Sequence, residues 1–265
     1  MIESHHYGWL PNFVSELAKE AFTDGGMDFD SHLRAIAARD YGKAAADEVV
    51  RIWADWSDAI PDVVASVENQ YGPFRVGPSY PYNFLGKPIE FNDYPRFRNY
   101  ICSLSYLQKY HGGKGRRKID VERHRKEIEL LRPAGERFVS GAARLAKLAE
   151  ALPPARRAEA LREAGVGEYI GRALLTAANV KEGAIAETTV LDQASDKAAV
   201  AAAKAEIVRI ARDEYANTRA ALKLVLADSR LGWEASMGYY GGRDQLRWKL
   251  ERMRKLYGIV DEEVR

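Results

Sequence analysis

Residues 190–228 read VLDQASDKAAVAAAKAEIVRIARDEYANTRAALKLVLAD and decide the fold class. Their apolar residues recur every three or four positions, which is the spacing of one face of an α-helix. A run of this length predicts one long helix or two packed helices. No part of the chain alternates apolar and polar residues with the period of two that marks a half-buried strand. The sequence therefore predicts an all-α, bundle-like domain with long loops rich in aromatic residues, glycine and proline.

The same periodicity predicts helices on both sides of an irregular middle segment. Further helices are expected from Pro11 to the Gly25–Gly26 pair, from Asp30 or Ser31 to Tyr41, from Ala44 to Ser66 with Pro61 near its end, and over 120–151 (bent or interrupted at Pro133), 154–164, 167–182 and 243–257. We expect a single helical domain over 1–265, helical at 10–68, irregular at 69–119 and helical again at 120–257. In the middle segment, the prolines and glycines between Asn69 and Phe84 predict neither helix nor central strand.

Composition excludes several classes of protein. The 265 residues include 40 Lys and Arg against 38 Asp and Glu, a net charge of +2, so the basic excess of a nucleic-acid binder is missing. One cysteine, Cys102, excludes an internal disulfide framework and is interpreted as a small buried hydrophobe. No apolar run approaches the roughly 20 residues of a membrane span. We therefore expect no nucleic-acid partner and no membrane partner.

The N-terminus has an unusual composition. Residues 1–9, MIESHHYGW, lack the basic and apolar regions of a secretory signal, which makes a cytoplasmic location the default expectation. Aromatic and histidine residues crowd this stretch, whereas polar, fraying termini are usual. The chain thus reads as if it began inside a larger protein, and this leaves both the native start and the compartment open.

Three aromatic loops are the main functional signal. They are Gly8–Trp9, the stretch from Tyr71 to Phe84, and the stretch from Trp233 to Tyr240. Tyr and Trp combine stacking area with a hydrogen-bonding group, which suits a ligand with flat, weakly polar faces such as a sugar. The other interpretation is that these side chains pack the loops onto the helices. The candidate ligand-binding residues are Glu3, His5, His6, Trp9, Tyr71, Arg75, Tyr80, Trp233 and Glu234.

Other chemistries have weaker signals. His5 and His6 are adjacent and lack the helical spacing of a metal pair, so no metal and no cofactor is predicted. The basic stretch 112–118, GGKGRRK, fails the phosphate-loop pattern because Lys114 is followed by glycine instead of serine or threonine. Glu68 and Glu234 are the best placed carboxylates, but neither stands in a recognisable catalytic frame.

Several loop motifs resemble those of a known group of proteins. The motifs are Glu3–Pro11 (ESHHYGWLP), Arg39–Gly42 (RDYG), Gln70–Pro73 (QYGP), Gly77–Pro81 (GPSYP) and Asp228–Glu234 (DSRLGWE). In order and spacing they resemble the C-terminal helical domain of large, mostly uncharacterised bacterial proteins that are glycoside-hydrolase-like.

The resemblance implies a (β/α)8 barrel followed by a helical domain beside the barrel mouth. A barrel needs about 200 residues or more of alternating strands and helices, and this sequence has none of that pattern. Under the resemblance, residues 1–9 are a remnant of the barrel rim, and the loops at 69–84 and 231–242 close over the same cleft. An upstream barrel is then the partner, and the domain binds an oligosaccharide without hydrolysing it alone.

Three alternatives remain beside this accessory-domain hypothesis. A structural or protein-interaction module would expose an apolar patch, expected on the helix at 10–22. A self-contained helical enzyme would need two carboxylates, or a histidine with a carboxylate, with perturbed pKa values. A nucleic-acid role would use the 114–118 patch.

Overall fold

The computed structural model describes residues 13–23, 26, 28–63, 66–89, 93–95, 104–106, 118–234 and 239–260. Its α-helices are α1 (Phe13–Thr23), α2 (Phe29–Tyr41), α3 (Ala46–Ala59), α4 (Val67–Gln70), α5 (Pro73–Val76), α6 (Val121–Ala149), α7 (Pro154–Asp192), α8 (Lys197–Ala227) and α9 (Arg243–Tyr257). Two 3-10 turns lie at Ile60–Asp62 and Gly77–Ser79. The described strands, β1 (Trp233–Glu234) and β2 (Tyr239–Tyr240), form one short antiparallel pair. The predicted all-α class is confirmed.

Helix ends follow local capping chemistry. The Asp196 carboxylate accepts hydrogen bonds from the backbone N–H groups of Ala198 (3.0 Å) and Ala199 (2.9 Å), so α8 begins at Lys197 and not at 190. Asp120 caps α6 in the same way, and that helix continues through Pro133 without interruption.

Two predictions based on glycine and proline were wrong. The expected helices 154–164 and 167–182 are one continuous helix, α7. Two of its glycines are packing positions: a Cβ on Gly167 would clash with the Trp56 indole, and one on Gly171 would lie 2.7 Å from the carbonyl oxygen of Gly135. The stretch from Asn69 to Phe84, predicted to contain no helix, contains the last two residues of α4, then α5 and the 3-10 turn after it.

The helix expected over Ala44–Ser66 is shorter. α3 ends at Ala59, and the following 3-10 turn contains Pro61. Proline lacks the N–H that would continue the hydrogen-bond ladder, so the helix ends close to it.

The first buried core lies between α2, α3, α6 and the first half of α7. Its central contact is the Trp56 ring stacked on Phe138, with ring centroids 5.5 Å apart. The Trp56 indole N–H also donates to the carbonyl oxygen of Phe138, at 3.2 Å. A buried aromatic pair with a satisfied polar group fixes how α3 crosses α6.

The second core places the middle segment. The last turns of α7 together with α8 and α9 enclose buried aromatic residues from that segment, namely Tyr80, Tyr82, Phe84, Tyr94 and Tyr106. The Tyr82 hydroxyl donates to the carbonyl oxygen of Ile207 on α8, at 3.1 Å. The described part of the irregular segment is therefore held against these helices.

None of the helices in the described ranges is long and apolar enough to cross a membrane.

Candidate functional site

Two of the three aromatic loops meet in the structure. We call the place where residues 71–80 touch residues 231–234 and 239–241 the loop junction. A Cβ on Gly241 would clash with the carbonyl oxygen of Val76, so the two backbones are in direct contact. The Gly241 N–H also donates to the carbonyl oxygen of Gly232 at 2.6 Å, which closes the loop that carries β1 and β2.

Tyr169, on α7, is the helical residue at the centre of the loop junction. It is fully buried, and a Cβ on Gly77 or Gly232 would lie 3.2 or 2.7 Å from its hydroxyl oxygen. Both glycines have positive φ, +58° and +77°, which other residues rarely adopt. Close approach and backbone conformation thus both require glycine here.

A buried ion pair on α8 and α9 anchors the loop junction. Lys249 on α9 pairs with Glu214 on α8, and these side chains are 1% and 0% exposed. The Lys249 ammonium also donates to the carbonyl oxygen of Pro78, at 2.7 Å. Burial lowers the pKa of Lys249, and the facing carboxylate opposes that shift. The pair therefore fixes the 3-10 turn of the junction to α8 and α9.

Neutral side chains satisfy the rest of Glu214. Thr176 and Asn179, both on α7, donate to its carboxylate at 2.6 and 2.7 Å. Asn217 donates to the Thr176 hydroxyl at 3.0 Å, and Arg132 on α6 donates to Asn179 at 3.1 Å. One polar network thus runs through α6, α7, α8 and α9, as buried charges require.

A second set of ionisable residues, the charged cluster, lies beside Gly72. It consists of Glu68, Arg123, Glu127, Lys181, Tyr106 and His124. Arg123 donates to Glu68 at 2.8 Å and lies 3.9 Å from Glu127. Glu127 then pairs with the fully buried Lys181 at 2.5 Å. The cluster leads from the surface into the second core.

The inner end of the charged cluster is a chain of directed hydrogen bonds. Lys181 donates to the Tyr106 hydroxyl at 2.9 Å, and that hydroxyl lies 3.1 Å from Nε2 of His124. Nδ1 of His124 donates to the carbonyl oxygen of Asp120 at 2.8 Å, so Nε2 is the acceptor for Tyr106. Burial and the Lys181 charge lower the pKa of His124 to about 4. The imidazole is neutral at pH 7 and serves to orient Tyr106.

A third group with a shifted pKa, Glu163, lies near the N-terminal end of α7. The Glu163 carboxylate accepts hydrogen bonds from the Tyr41 hydroxyl (2.7 Å) and the Trp53 indole N–H (2.5 Å). Burial raises the pKa of Glu163 to about 7, against the opposite effect of these two donors. It joins α2 and α3 to α7.

The predicted ligand-binding residues have different positions. Tyr71 and Arg75 are half-buried at the loop junction, and the Arg75 guanidinium lies over the Tyr71 ring, 5.1 Å from its centroid. Tyr80 is fully buried in the second core, so its ring packs the loop and presents no face to solvent. The backbones of Trp233 and Glu234 form β1 at the junction.

The remaining predicted residues, Glu3, His5, His6 and Trp9, lie outside the described residues, as does Cys102. In the described part of the chain no group of three or more His, Cys, Asp or Glu side chains could hold a metal ion. The carboxylate singled out in the sequence, Glu68, is engaged by Arg123.

The buried charged residues were missed by sequence reasoning, although a signal was present. Lys249 lies three, one and four residues from the apolar Leu246, Leu250 and Met253, in the buried stripe of α9. Glu214 continues the stripe of Ile210 on α8 in the same way. A charged residue inside an apolar helical stripe is costly unless it is paired, so such positions indicate a buried partner.

The chain matches no protein-family model, no curated protein and no solved structure.

Proposed function

We propose that this chain is a helical accessory domain of a carbohydrate-active, glycoside-hydrolase-like enzyme. Tyr71, Arg75, Trp233 and Glu234 contribute to saccharide binding at the loop junction, and the domain is not catalytic alone. The observation that supports this proposal best is the contact between two aromatic loops over Tyr169. The loop motifs quoted above, which resemble those of glycoside-hydrolase-like proteins, are a second support.

The loop junction suits saccharide binding because its backbone is preorganised. Lys249 holds Pro78, Tyr169 contacts both loops, and the Ser79 hydroxyl donates to the carbonyl oxygen of Val76 at 2.7 Å. Aromatic side chains on a fixed backbone bind with little loss of conformational freedom. Tyr71 with the Arg75 guanidinium over its ring offers an aromatic edge and a planar donor side by side.

The same proposal assigns a partner. An upstream catalytic barrel would supply the acid and the nucleophile or base, and Glu3, His5, His6 and Trp9 would line its rim. The 71–80 and 231–241 segments would then lie across the barrel mouth, where the active sites of such barrels are located. The domain would extend the saccharide-binding surface of the enzyme.

Isothermal titration calorimetry on the full chain tests the proposal. The probes are cellohexaose, xylohexaose, maltohexaose and chitohexaose, and the variants are Tyr71→Ala and Trp233→Ala. We expect one of the four to bind, and each variant to weaken binding by roughly tenfold or more, since aromatic anchors dominate binding energy. Phe22→Ala is the matched control, because Phe22 is 83% exposed on α1. Absence of binding to all four probes, or equal binding by the variants, would overturn the proposal.

The second candidate function is a structural or protein-interaction module. It is favoured by Phe22 and Phe29, which are 83% and 54% exposed at the facing ends of α1 and α2. Apolar side chains scattered singly are ordinary on protein surfaces, so these two carry little argument of their own. We therefore prefer saccharide binding.

A further inference from the structure

The last helix, α9, carries more positive charge than the chain as a whole. Six of its 15 residues are Lys or Arg and two are Asp or Glu, a net charge of +4 against +2 for the whole chain. Apart from the buried Lys249, these basic side chains are exposed or half-buried. The helix begins two residues after Gly241, so its positive surface starts at the loop junction.

Three arginines, which we call the arginine row, lie along one exposed side of α9. They are Arg243, Arg247 and Arg254, and all three are exposed. With 3.6 residues per turn, their directions from the helix axis fall within about 40° of one another. At a rise of about 1.5 Å per residue, the row extends for about 16 Å from the loop junction.

Two arginines of the row have no ion-pair partner in the described part of the chain. Both acidic residues of α9 are engaged elsewhere. Asp244 pairs with the first arginine of the row at 3.1 Å, and Glu251 pairs with Lys255 at 2.6 Å. Arg247 and Arg254 therefore keep their charge for a ligand. A guanidinium is weakly hydrated and binds a carboxylate through two parallel hydrogen bonds.

A further guanidinium on α9 also keeps its charge. Arg252 donates to the Asn83 side-chain oxygen at 2.8 Å and to the carbonyl oxygen of Lys87 at 3.1 Å. Both acceptors are uncharged. The same guanidinium lies over the half-buried Trp248 ring, 5.7 Å from its centroid. It adds to the positive potential of the helix, which attracts an anionic ligand.

We propose that the saccharide bound at the loop junction is a polyuronate, and that its carboxylates pair with the arginine row where the chain leaves the junction. A linear chain with one carboxylate on each ring matches a linear row of cations that begins at the site. Nucleic acid, the other linear polyanion, fits less well because the net charge of the whole chain is only +2. This inference rests on the proposed function and names its substrate class.

The test compares neutral hexasaccharides with their uronates by isothermal titration calorimetry on the full chain. The pairs are cellohexaose, maltohexaose and chitohexaose, each with its form oxidised to a carboxylate at C6. At low ionic strength we expect at least one uronate to bind roughly tenfold more tightly than its neutral form, since several exposed charge pairs act together. In about 1 M NaCl this preference should largely disappear, because salt screens exposed charges.

A double variant, Arg247→Gln with Arg254→Gln, removes the two unpaired charges of the row. We expect it to lose most of the preference for the uronate over the neutral form. The matched control is Arg212→Gln, the same change at an exposed arginine on α8, which should keep the preference. All of these side chains are exposed, so the thermal unfolding midpoints of the variants should equal that of wild type.

The outcomes separate the two proposals. If a neutral hexasaccharide binds through Tyr71 and Trp233 but no uronate binds more tightly, or if the double variant keeps the full preference, the polyuronate assignment is wrong and the proposed function stands. Tighter binding of a single-stranded hexanucleotide than of any uronate would also overturn the assignment. If the uronates bind while Tyr71→Ala and Trp233→Ala have no effect, the proposed function is wrong. If no saccharide binds, both proposals are overturned.

Discussion

Replacing Lys249 by methionine should destabilise this protein far more than the loss of an ordinary ion pair. Lys249 is 1% exposed, and its ammonium is shared by the Glu214 carboxylate and the carbonyl oxygen of Pro78. In Lys249→Met the carboxylate, which is 0% exposed, keeps neutral donors such as Thr176 and Asn179, but loses its counter-charge. Leaving a buried charge without its partner costs about 3–5 kcal/mol.

The assay is chemical and thermal unfolding followed by circular dichroism. Each kcal/mol moves the midpoint of a domain of this size by roughly 2–4 °C, so the expected decrease is roughly 6–20 °C. Lys255→Met is the matched control: Lys255 is on the same helix and pairs with Glu251 at 2.6 Å, but its side chain is 75% exposed. We expect no measurable change for that variant.

A double variant isolates the electrostatic part. Adding Glu214→Gln to Lys249→Met removes the uncompensated charge while keeping an acceptor for Thr176 or Asn179. The double variant should therefore be more stable than Lys249→Met alone. If Lys249→Met unfolds with the wild-type midpoint, or if the added Glu214→Gln lowers stability further by its full single-variant effect, the buried ion pair is not what holds α9 to the loop junction.

The remaining predictions concern pH and glycine packing. Glu163 binds its proton more tightly in the folded state (pKa about 7 against an ordinary 4.5), so its contribution, about 3 kcal/mol, is present below pH 4.5 and is lost as the pH rises to 7. His124 acts in the opposite direction: its folded pKa is about 4 against an ordinary 6.5, so the unfolded state binds more protons and stability falls as the pH falls from 6.5 to 4. Unfolding free energies should be measured from pH 4 to 8 and plotted against pH. Relative to wild type, the free energy should rise with pH in Glu163→Gln and fall with pH in His124→Gln. Two variant profiles parallel to wild type would contradict both assignments. Gly241→Ala should cost about 1–3 kcal/mol because the new methyl meets the carbonyl oxygen of Val76, whereas Gly165→Ala, with nothing within 4 Å, should be neutral or stabilising; equal effects in denaturant unfolding would refute the close loop contact.

Much of the architecture could be predicted from helical periodicity and from the prolines and capping residues that end or begin helices. The all-α class, the helix from Val121 to Ala149 and the end of α3 near Pro61 follow from local rules that hold in isolation. The single helix α7 could not be predicted in this way. Glycines such as Gly167 predict the end of a helix when the sequence is taken alone. In the structure the Trp56 indole packs where a side chain at position 167 would lie, and this packing offsets the low helix propensity of glycine.

The site was predictable only in part. The resemblance to glycoside-hydrolase-like proteins implied that two aromatic loops close over one cleft, and in the structure their backbones meet at Gly241 and Val76. Exposure of an individual ring was not predictable, because Tyr80 and Tyr71 lie in similar loop sequences yet only Tyr80 is fully buried. The partner of a buried charge was also not predictable, since Lys249 pairs with Glu214 on the preceding long helix and not with a neighbour in sequence.

The position of Lys249 has a consequence for biosynthesis. A ribosome synthesises the chain from its N-terminus, so the 3-10 turn at Pro78 and the carboxylate of Glu214 both emerge before the lysine that joins them. Until α9 leaves the exit tunnel, the Glu214 carboxylate lacks the ammonium with which it pairs and must stay hydrated. The loop junction therefore closes only as a late step, after most of the helices are available, and a nascent chain stalled before α9 would carry the aromatic loops without their anchor.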